Sequence, residues 1–130
     1  MRVLIISANQ ERSPDPVAPL GACYVASAVA AAGHDTEMLD LCFSADVDAD
    51  VRAAVGAHRP DVVGLAMRNV DNCAFPDTVS YTPHYARVAA VAREARDVPI
   101  VLGGSAFTTM PRFYLPMLRA PYGITIGGHQ

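Results

Sequence analysis

The sequence predicts an α/β fold: a three-layer α/β/α, doubly wound, flavodoxin-like (Rossmann-like) sheet of five parallel strands in the order 2-1-3-4-5. Three observations carry this expectation. Short apolar runs alternate with helical stretches of roughly 10–14 residues, the pattern of βαβ units with right-handed crossovers. The first run, Arg2-Val3-Leu4-Ile5-Ile6-Ser7, is continuously apolar rather than alternating, as in a strand covered on both faces. The two longest connections follow the first and third strands, which this order places side by side at the switch point.

The elements follow in turn. Residues 2–7 form strand 1. Residues 20–32 form a helix stopped by Gly33, which suits a left-handed C-cap. Residues 37–41 form strand 2. Residues 48–58 form the second helix, with Asp46 or Asp48 able to cap it and Pro60 beyond its end. Residues 62–67 (VVGLAM) form strand 3. A polar loop over 68–82 precedes Pro83, which suits the first turn of a helix over 83–96. That helix places Tyr85, Val88, Ala92 and Ala95 near one face. Residues 98–102 form strand 4, residues 111–118 a weak helix broken by Pro116, and residues 122–126 a short strand 5. A further helix is expected after strand 5, but the sequence ends Ile126-Gly127-Gly128-His129-Gln130. The flank of strand 5 is therefore expected to need cover from a partner, a second copy or further chain.

Bulk properties exclude several classes. At 130 residues the chain is one domain, 1–130. It is 52% hydrophobic and 18% charged, a composition that packs a core without disulfides. The net charge is −3 and all ten cationic residues are arginine, with no basic stripe, so no nucleic acid partner is expected. The alanine-rich stretch over 22–32 is interrupted by Ser27 and is too short to span a bilayer. Residues 1–6 lack a signal-peptide cleavage pattern. Cys23, Cys42 and Cys73 are far apart, with no C-x-x-C, and read as reduced cytoplasmic thiols.

The candidate chemistry lies in three loops. The loop after strand 1, residues 8–19, holds three prolines and feeds a helix N-terminus with unpaired N–H groups. It contains neither G-x-G-x-x-G nor a P-loop. After strand 3, Arg68, Asn69, Asp71 and Asn72 extend an apolar strand directly. Such a polar cluster suits a large ligand with many amides, a reading favoured over the alternative of a solvated turn formed by Asp and Asn because the arginine and asparagine directly extend the strand. After strand 4, Gly103-Gly104-Ser105 allows close approach of a ligand or of another backbone, and Ser105 can donate a hydrogen bond. His34, His58, His84 and His129 have no metal-ligand spacing. G-x-S-x-G is absent, and Asp40, Asp71 and Asp77 have no readable nucleophile–base partner, so no catalytic residue is assigned.

Taken together, several segments resemble the N-terminal cobalamin (B12)-binding domain of B12-dependent radical SAM proteins. They are the opening strand with Ala18-Pro19-Leu20-Gly21, then Ala32-Gly33-His34-Asp35 and Arg59-Pro60-Asp61-Val62-Val63-Gly64. Arg68-Asn69-Val70-Asp71, Ile100-Val101-Leu102-Gly103-Gly104-Ser105 and Tyr122-Gly123-Ile124 complete the set. The resemblance covers nearly the whole chain, and order and spacing carry it rather than any one motif. It implies a corrin ring over the C-terminal edge of the sheet and a nucleotide tail beside strand 4. The residues it implies for the cofactor are Asn9, Arg12, Ser13, Pro19, Leu20, Arg68, Asn69, Val70, Asp71, Asn72, Gly103, Gly104, Ser105, Ala106 and Gly123. Among them Arg68, Asn69 and Asp71 would bond the corrin amides, Gly103 and Gly104 would admit the tail, and Ser105 would bond it.

Two departures shape the expectation. Many cobalamin domains carry D-x-H-x-x-G, but here the loop after strand 3 reads Asp71-Asn72-Cys73-Ala74-Phe75-Pro76. Cobalamin is therefore expected base-off, without a histidine ligand. The radical SAM motif C-x-x-x-C-x-x-C is absent, and Gly127-Gly128-His129-Gln130 replaces the family's glycine–glutamate turn. S-adenosylmethionine and a [4Fe-4S] cluster would belong to a domain or partner outside this chain. The leading expectation is a cobalamin-binding module of methyltransferase type, a cofactor carrier or one working with a radical SAM subunit. The alternative is a non-catalytic interaction or regulatory domain of flavodoxin-like fold that no longer binds cofactor.

Overall fold

Every expected strand forms, and the sheet order is β2-β1-β3-β4-β5, all parallel. The structure, a computed structural model, describes residues 1–125. The elements are β1 (Arg2–Ser7), α1 (Leu20–Ala31), β2 (Asp35–Asp40), α2 (Val47–His58), β3 (Val62–Ala66), α3 (Thr82–Ala95), β4 (Ile100–Gly103), α4 (Ser105–Thr109), α5 (Pro111–Met117) and β5 (Tyr122–Gly123). Ile126 and the glycine-rich tail lie outside the described residues.

Local chemistry sets most element ends. Gly33, at φ +97°, follows α1 in the left-handed conformation expected there. Of the two candidate caps of α2, Asp46 does the capping: its Oδ1 accepts from the Ala49 N–H at 3.1 Å. The helix after β4 differs from expectation. Two short helices, α4 and α5, replace the single weak one, and Met110 separates them. On α3 the buried face is Tyr85, Val88, Ala89, Val91 and Ala92, while Ala95 is exposed at the helix end.

The two faces of the sheet are packed unequally. Register places Leu4 and Ile6 of β1, Val63 and Leu65 of β3, and Ile100 and Leu102 of β4 on one face. They meet Val51 and Val55 of α2, Tyr85 and Val88 of α3, Phe107 of α4 and Tyr114 of α5 in one cluster. Fully burying each such side chain contributes about 1.5–3 kcal/mol, so this face holds the fold. The opposite face is covered only in part. There Ala22, Ala26 and Val29 of α1 sit on Val3, Ile5, Met38, Val62 and Ala66. Beyond α1 the face continues across Gly64, Val101 and Gly103 to Tyr122 and Ile124, and those last two are exposed.

Candidate functional site

β1 and β3 are neighbours whose following connections depart to opposite faces, α1 on one side and α3 on the other. That divergence opens a crevice at the C-terminal edge. From it an apolar cleft of about 620 Å³ runs down the bare face of the sheet, within the 300–1,000 Å³ typical of cofactor sites. Its floor is small: Gly64, Ala66 and Gly103 lie at adjacent positions of β3 and β4. Pro19 and Leu20 of the α1 start wall one side, and Asn9, Arg68 and Ser105 stand at its edge-ward end.

The loop after β1 is internally braced. The buried Asn9 side chain accepts from the Glu11 N–H at 3.2 Å and donates to the Glu11 carbonyl at 3.4 Å. Glu11 Oε1 accepts from the Ser13 N–H at 2.8 Å. Arg12 leaves this turn to stack on exposed Phe43, its guanidinium carbon 5.6 Å from the ring centre.

The loop after β3 is also closed on itself. Asn72 Oδ1 accepts from the Ala74 and Val79 N–H groups at 3.2 and 2.9 Å, and its Nδ2 donates to the Asp77 carbonyl at 3.1 Å. One amide N–H of Asn72 is left for anything outside the loop. Asp71 Oδ1 accepts from the Cys73 N–H at 2.8 Å, and this carboxylate pushes the Cys73 thiol pKa up. The Asn69 carbonyl accepts from Tyr85 Oη, and the Val70 carbonyl from the Tyr81 N–H. Arg68 differs from the others. It is exposed at the cleft and, among the described residues, its guanidinium makes no hydrogen bond or ion pair.

Two side-chain bonds join the loops across the crevice. Tyr81 Oη donates to Glu11 Oε2 at 2.7 Å, and His84 Nε2 donates to the Ala8 carbonyl at 2.7 Å. The Tyr81 bond, then the Ser13 N–H and the Arg68 charge, hold the Glu11 carboxyl below its ordinary range. Burial, then the Glu11 carboxylate, pushes the Tyr81 phenol up to about 12. Sequence reasoning missed both bonds. Glu11 and Tyr81 are 70 positions apart, and no local signal marks them as partners.

The glycines separate into two kinds. A Cβ at Gly103 would meet nothing nearer than the Ile124 carbonyl oxygen at 4.0 Å, so this position opens into the cleft. Gly104, at φ +95°, would place a Cβ 2.3 Å from the Met67 carbonyl oxygen. Close backbone approach, not a ligand, accounts for that glycine. Gly123 likewise faces the Phe107 ring, which a Cβ would meet at 2.1 Å, on the packed side of the sheet. Ala106 is buried in the same core. The structure thus gathers Asn9, Pro19, Leu20, Arg68, Gly103, Gly104 and Ser105 around the cleft. Arg12, Ser13, Asn69, Val70, Asp71 and Asn72 lie in the loops above it, and Ala106 and Gly123 belong to the opposite face.

A tryptophan 2-C-methyltransferase of Streptomyces laurentii is 30% identical over 123 residues, covering 94% of this chain and 20% of that protein. Two structures of TsrM, a radical S-adenosylmethionine methyltransferase of Kitasatospora setae, superpose with TM-score 0.86 at 28% identity, covering 95% of this chain and 22% of theirs. One holds tryptophan and a SAM analogue, the other cobalamin and a [4Fe-4S] cluster. The N-terminal domain of the response regulator NsrR, at 11% identity and TM-score 0.58, shares the fold alone. The chain spans about a fifth of the length of its methyltransferase relatives. Residues 7–125 match the family described as "B12 binding domain", a span that takes in both long loops; the chain belongs to that family.

Proposed function

We propose that this domain holds cobalamin base-off, with the nucleotide tail in the apolar cleft and the corrin over the crevice. In this reading it serves a radical SAM methyltransferase, as one part of a longer polypeptide or with a separate subunit, in the cytoplasm. Three free thiols and the absence, among the described residues, of any helix long and apolar enough to cross a membrane accord with that setting.

The observation that carries the reading is the cleft floor. Gly103 opens into the cleft beside the small Ala66, while the Ile5 side chain lies within 2.8 Å of a Cβ at Gly64, so the room for a flat aromatic group lies at the Ala66–Gly103 end of the floor, where burial in an apolar slot favours it strongly. Among the described residues, a Cβ at Gly103 would meet nothing nearer than the Ile124 carbonyl oxygen at 4.0 Å. Bound cobalamin would supply a cobalt centre able to accept and release a methyl group. The chain's own residues would do the rest. Pro19, Leu20 and the strand floor exclude water from the tail. Ser105, whose hydroxyl makes no hydrogen bond among the described residues, can donate to it. Arg68 and Asn69 stand where polar corrin side chains would pass. His84 stands beside the crevice, where its Nε2 donates to the Ala8 carbonyl, which fits a cobalt without a protein imidazole.

The test is titration of the purified protein with hydroxocobalamin, followed by visible absorbance and gel filtration. Co-elution of stoichiometric corrinoid with a base-off spectrum is expected. Failure to retain it at high excess would overturn the reading. A second reading, an interaction domain without cofactor, rests on exposed Leu20, Tyr24, Val25, Tyr122 and Ile124 around the bare face. It gains only if uptake fails.

A further inference from the structure

The backbone ladder joining β1 to β3 ends where the two site loops begin, with the Ala8 N–H on the Ala66 carbonyl at 3.1 Å. From there the chains diverge to opposite faces, and the sheet no longer sets their separation. Two side-chain bonds do. One is His84 on the Ala8 carbonyl, at the base of the crevice. The other, farther out, is Tyr81 on Glu11. We propose that Tyr81 and Glu11 form a strut that holds the two loops at the spacing a corrin requires, so that the empty domain is already shaped for its ligand.

Several observations converge on the pair. Glu11 sits at the centre of the first loop's bonding: its N–H and carbonyl meet Asn9, its Oε1 takes the Ser13 N–H, and its Oε2 takes Tyr81. Tyr81 ends the second loop, where its N–H is fixed to the Val70 carbonyl and its own carbonyl receives the Tyr85 N–H that begins α3. The strut therefore connects two rigid units rather than two flexible ones, which is the condition under which one bond transmits position. The Glu11 charge also interacts with that of Arg68, which lines the cleft. Tyr81 and Glu11 are positioning residues in this scheme; neither needs to touch the corrin.

The inference rests on the cobalamin reading, and the test separates the two. Wild type, Tyr81→Phe, Glu11→Ala, the double variant and Glu11→Gln are compared by equilibrium dialysis against hydroxocobalamin and by amide hydrogen exchange without ligand. Each of Tyr81→Phe and Glu11→Ala is expected to weaken uptake roughly five- to tenfold, the scale of one hydrogen bond's net contribution. The double variant should be no weaker than Glu11→Ala alone, because both remove the same bond. Glu11→Gln, whose amide oxygen can take the Ser13 N–H while its NH2 donates to Tyr81 Oη, should recover most of the affinity. In the ligand-free protein the Glu11 and Ser13 amides should exchange faster in Tyr81→Phe, while the β1 and β3 amides stay unchanged. Additive losses, or wild-type affinity in a well-folded Tyr81→Phe, would overturn the strut. If the wild type itself retains no corrinoid, the cobalamin reading falls and the inference with it, whatever the exchange shows.

Discussion

Replacing Gly103 with leucine separates a ligand cleft from an accident of packing. The free protein has room for it: a Cβ there meets nothing within 4.0 Å except the Ile124 carbonyl oxygen at that limit. A glycine inside a strand is roughly 0.5–1 kcal/mol worse than alanine, so the variant should melt at or slightly above wild type. The ligand has no such latitude. A planar aromatic group buries about 150–250 Å², which at about 25 cal/mol per Å² amounts to about 4–6 kcal/mol. A leucine side chain on the Ala66–Gly103 floor that displaces half of that contact removes about 2–3 kcal/mol, or roughly 30- to 150-fold in Kd. The assay is equilibrium dialysis against hydroxocobalamin, read by visible absorbance, beside a thermal melt of each variant. Gly104→Ala is the contrasting control. Its Cβ would lie 2.3 Å from the Met67 carbonyl oxygen and 2.8 Å from the Met67 nitrogen at φ +95°. Strain and overpacking there should lower stability by about 2–5 kcal/mol, and its lost uptake would say nothing of ligand placement. A Gly103→Leu protein that melts like wild type and binds hydroxocobalamin with wild-type affinity would refute the placement of the tail.

Three further outcomes follow from named contacts. Reduced to the Co(II) state on the protein, cobalamin should give an electron paramagnetic resonance spectrum without nitrogen superhyperfine splitting, and His84→Ala should not alter it; a resolved nitrogen triplet would refute the base-off, histidine-free state. Gly123→Ala should lower stability by about 1–3 kcal/mol through the Phe107 ring, and a melt unchanged from wild type would show that β5 is not seated on that ring. The pH dependence should be two-sided. Glu11, Asp48 and Asp61 have lowered pKa values, first through bonds from Tyr81, Arg87 and the Arg2 N–H respectively. Their contribution is present above the ordinary carboxylate values of 4.5 and 3.8 and is lost as pH falls through the lower folded values. Tyr81 and Tyr85 are raised to about 12, chiefly by burial, so stability should hold below pH 10 and decline from there toward 12. Tyr85→Phe should flatten that alkaline decline in a melt series, and an unchanged slope would rule out the buried phenol as its source.

Sequence alone determined the class and order of the elements. Continuous β-branched runs such as residues 2–7 can be stable only between two covering layers. Helix-length spacers between such runs force parallel crossovers of one hand. Asp46 and Gly33 mark helix ends through contacts with their immediate neighbours, and local chemistry of that kind is legible in one dimension. The two long loops, and Arg68 and Ser105 beside the cleft, were legible for the same reason. Tertiary structure alone decided what those loops do with their polar groups. Asn72 and Asp71 read first as ligand contacts, with turn formation as the alternative, and only the fold shows their atoms engaged by Ala74, Val79, Asp77 and Cys73. The resemblance assigned Gly103, Gly104 and Gly123 alike to the cofactor, yet Gly103 opens into the cleft, Gly104 faces the Met67 backbone and Gly123 faces Phe107. The short helix α4 has too few residues to show a period, so it could not be seen before the chain was folded. The strut between Glu11 and Tyr81 spans 70 positions, a separation at which no local pattern survives. Backbone propensity acts over a few residues, whereas the shape of a site is set by which distant side chains the sheet brings within bonding distance.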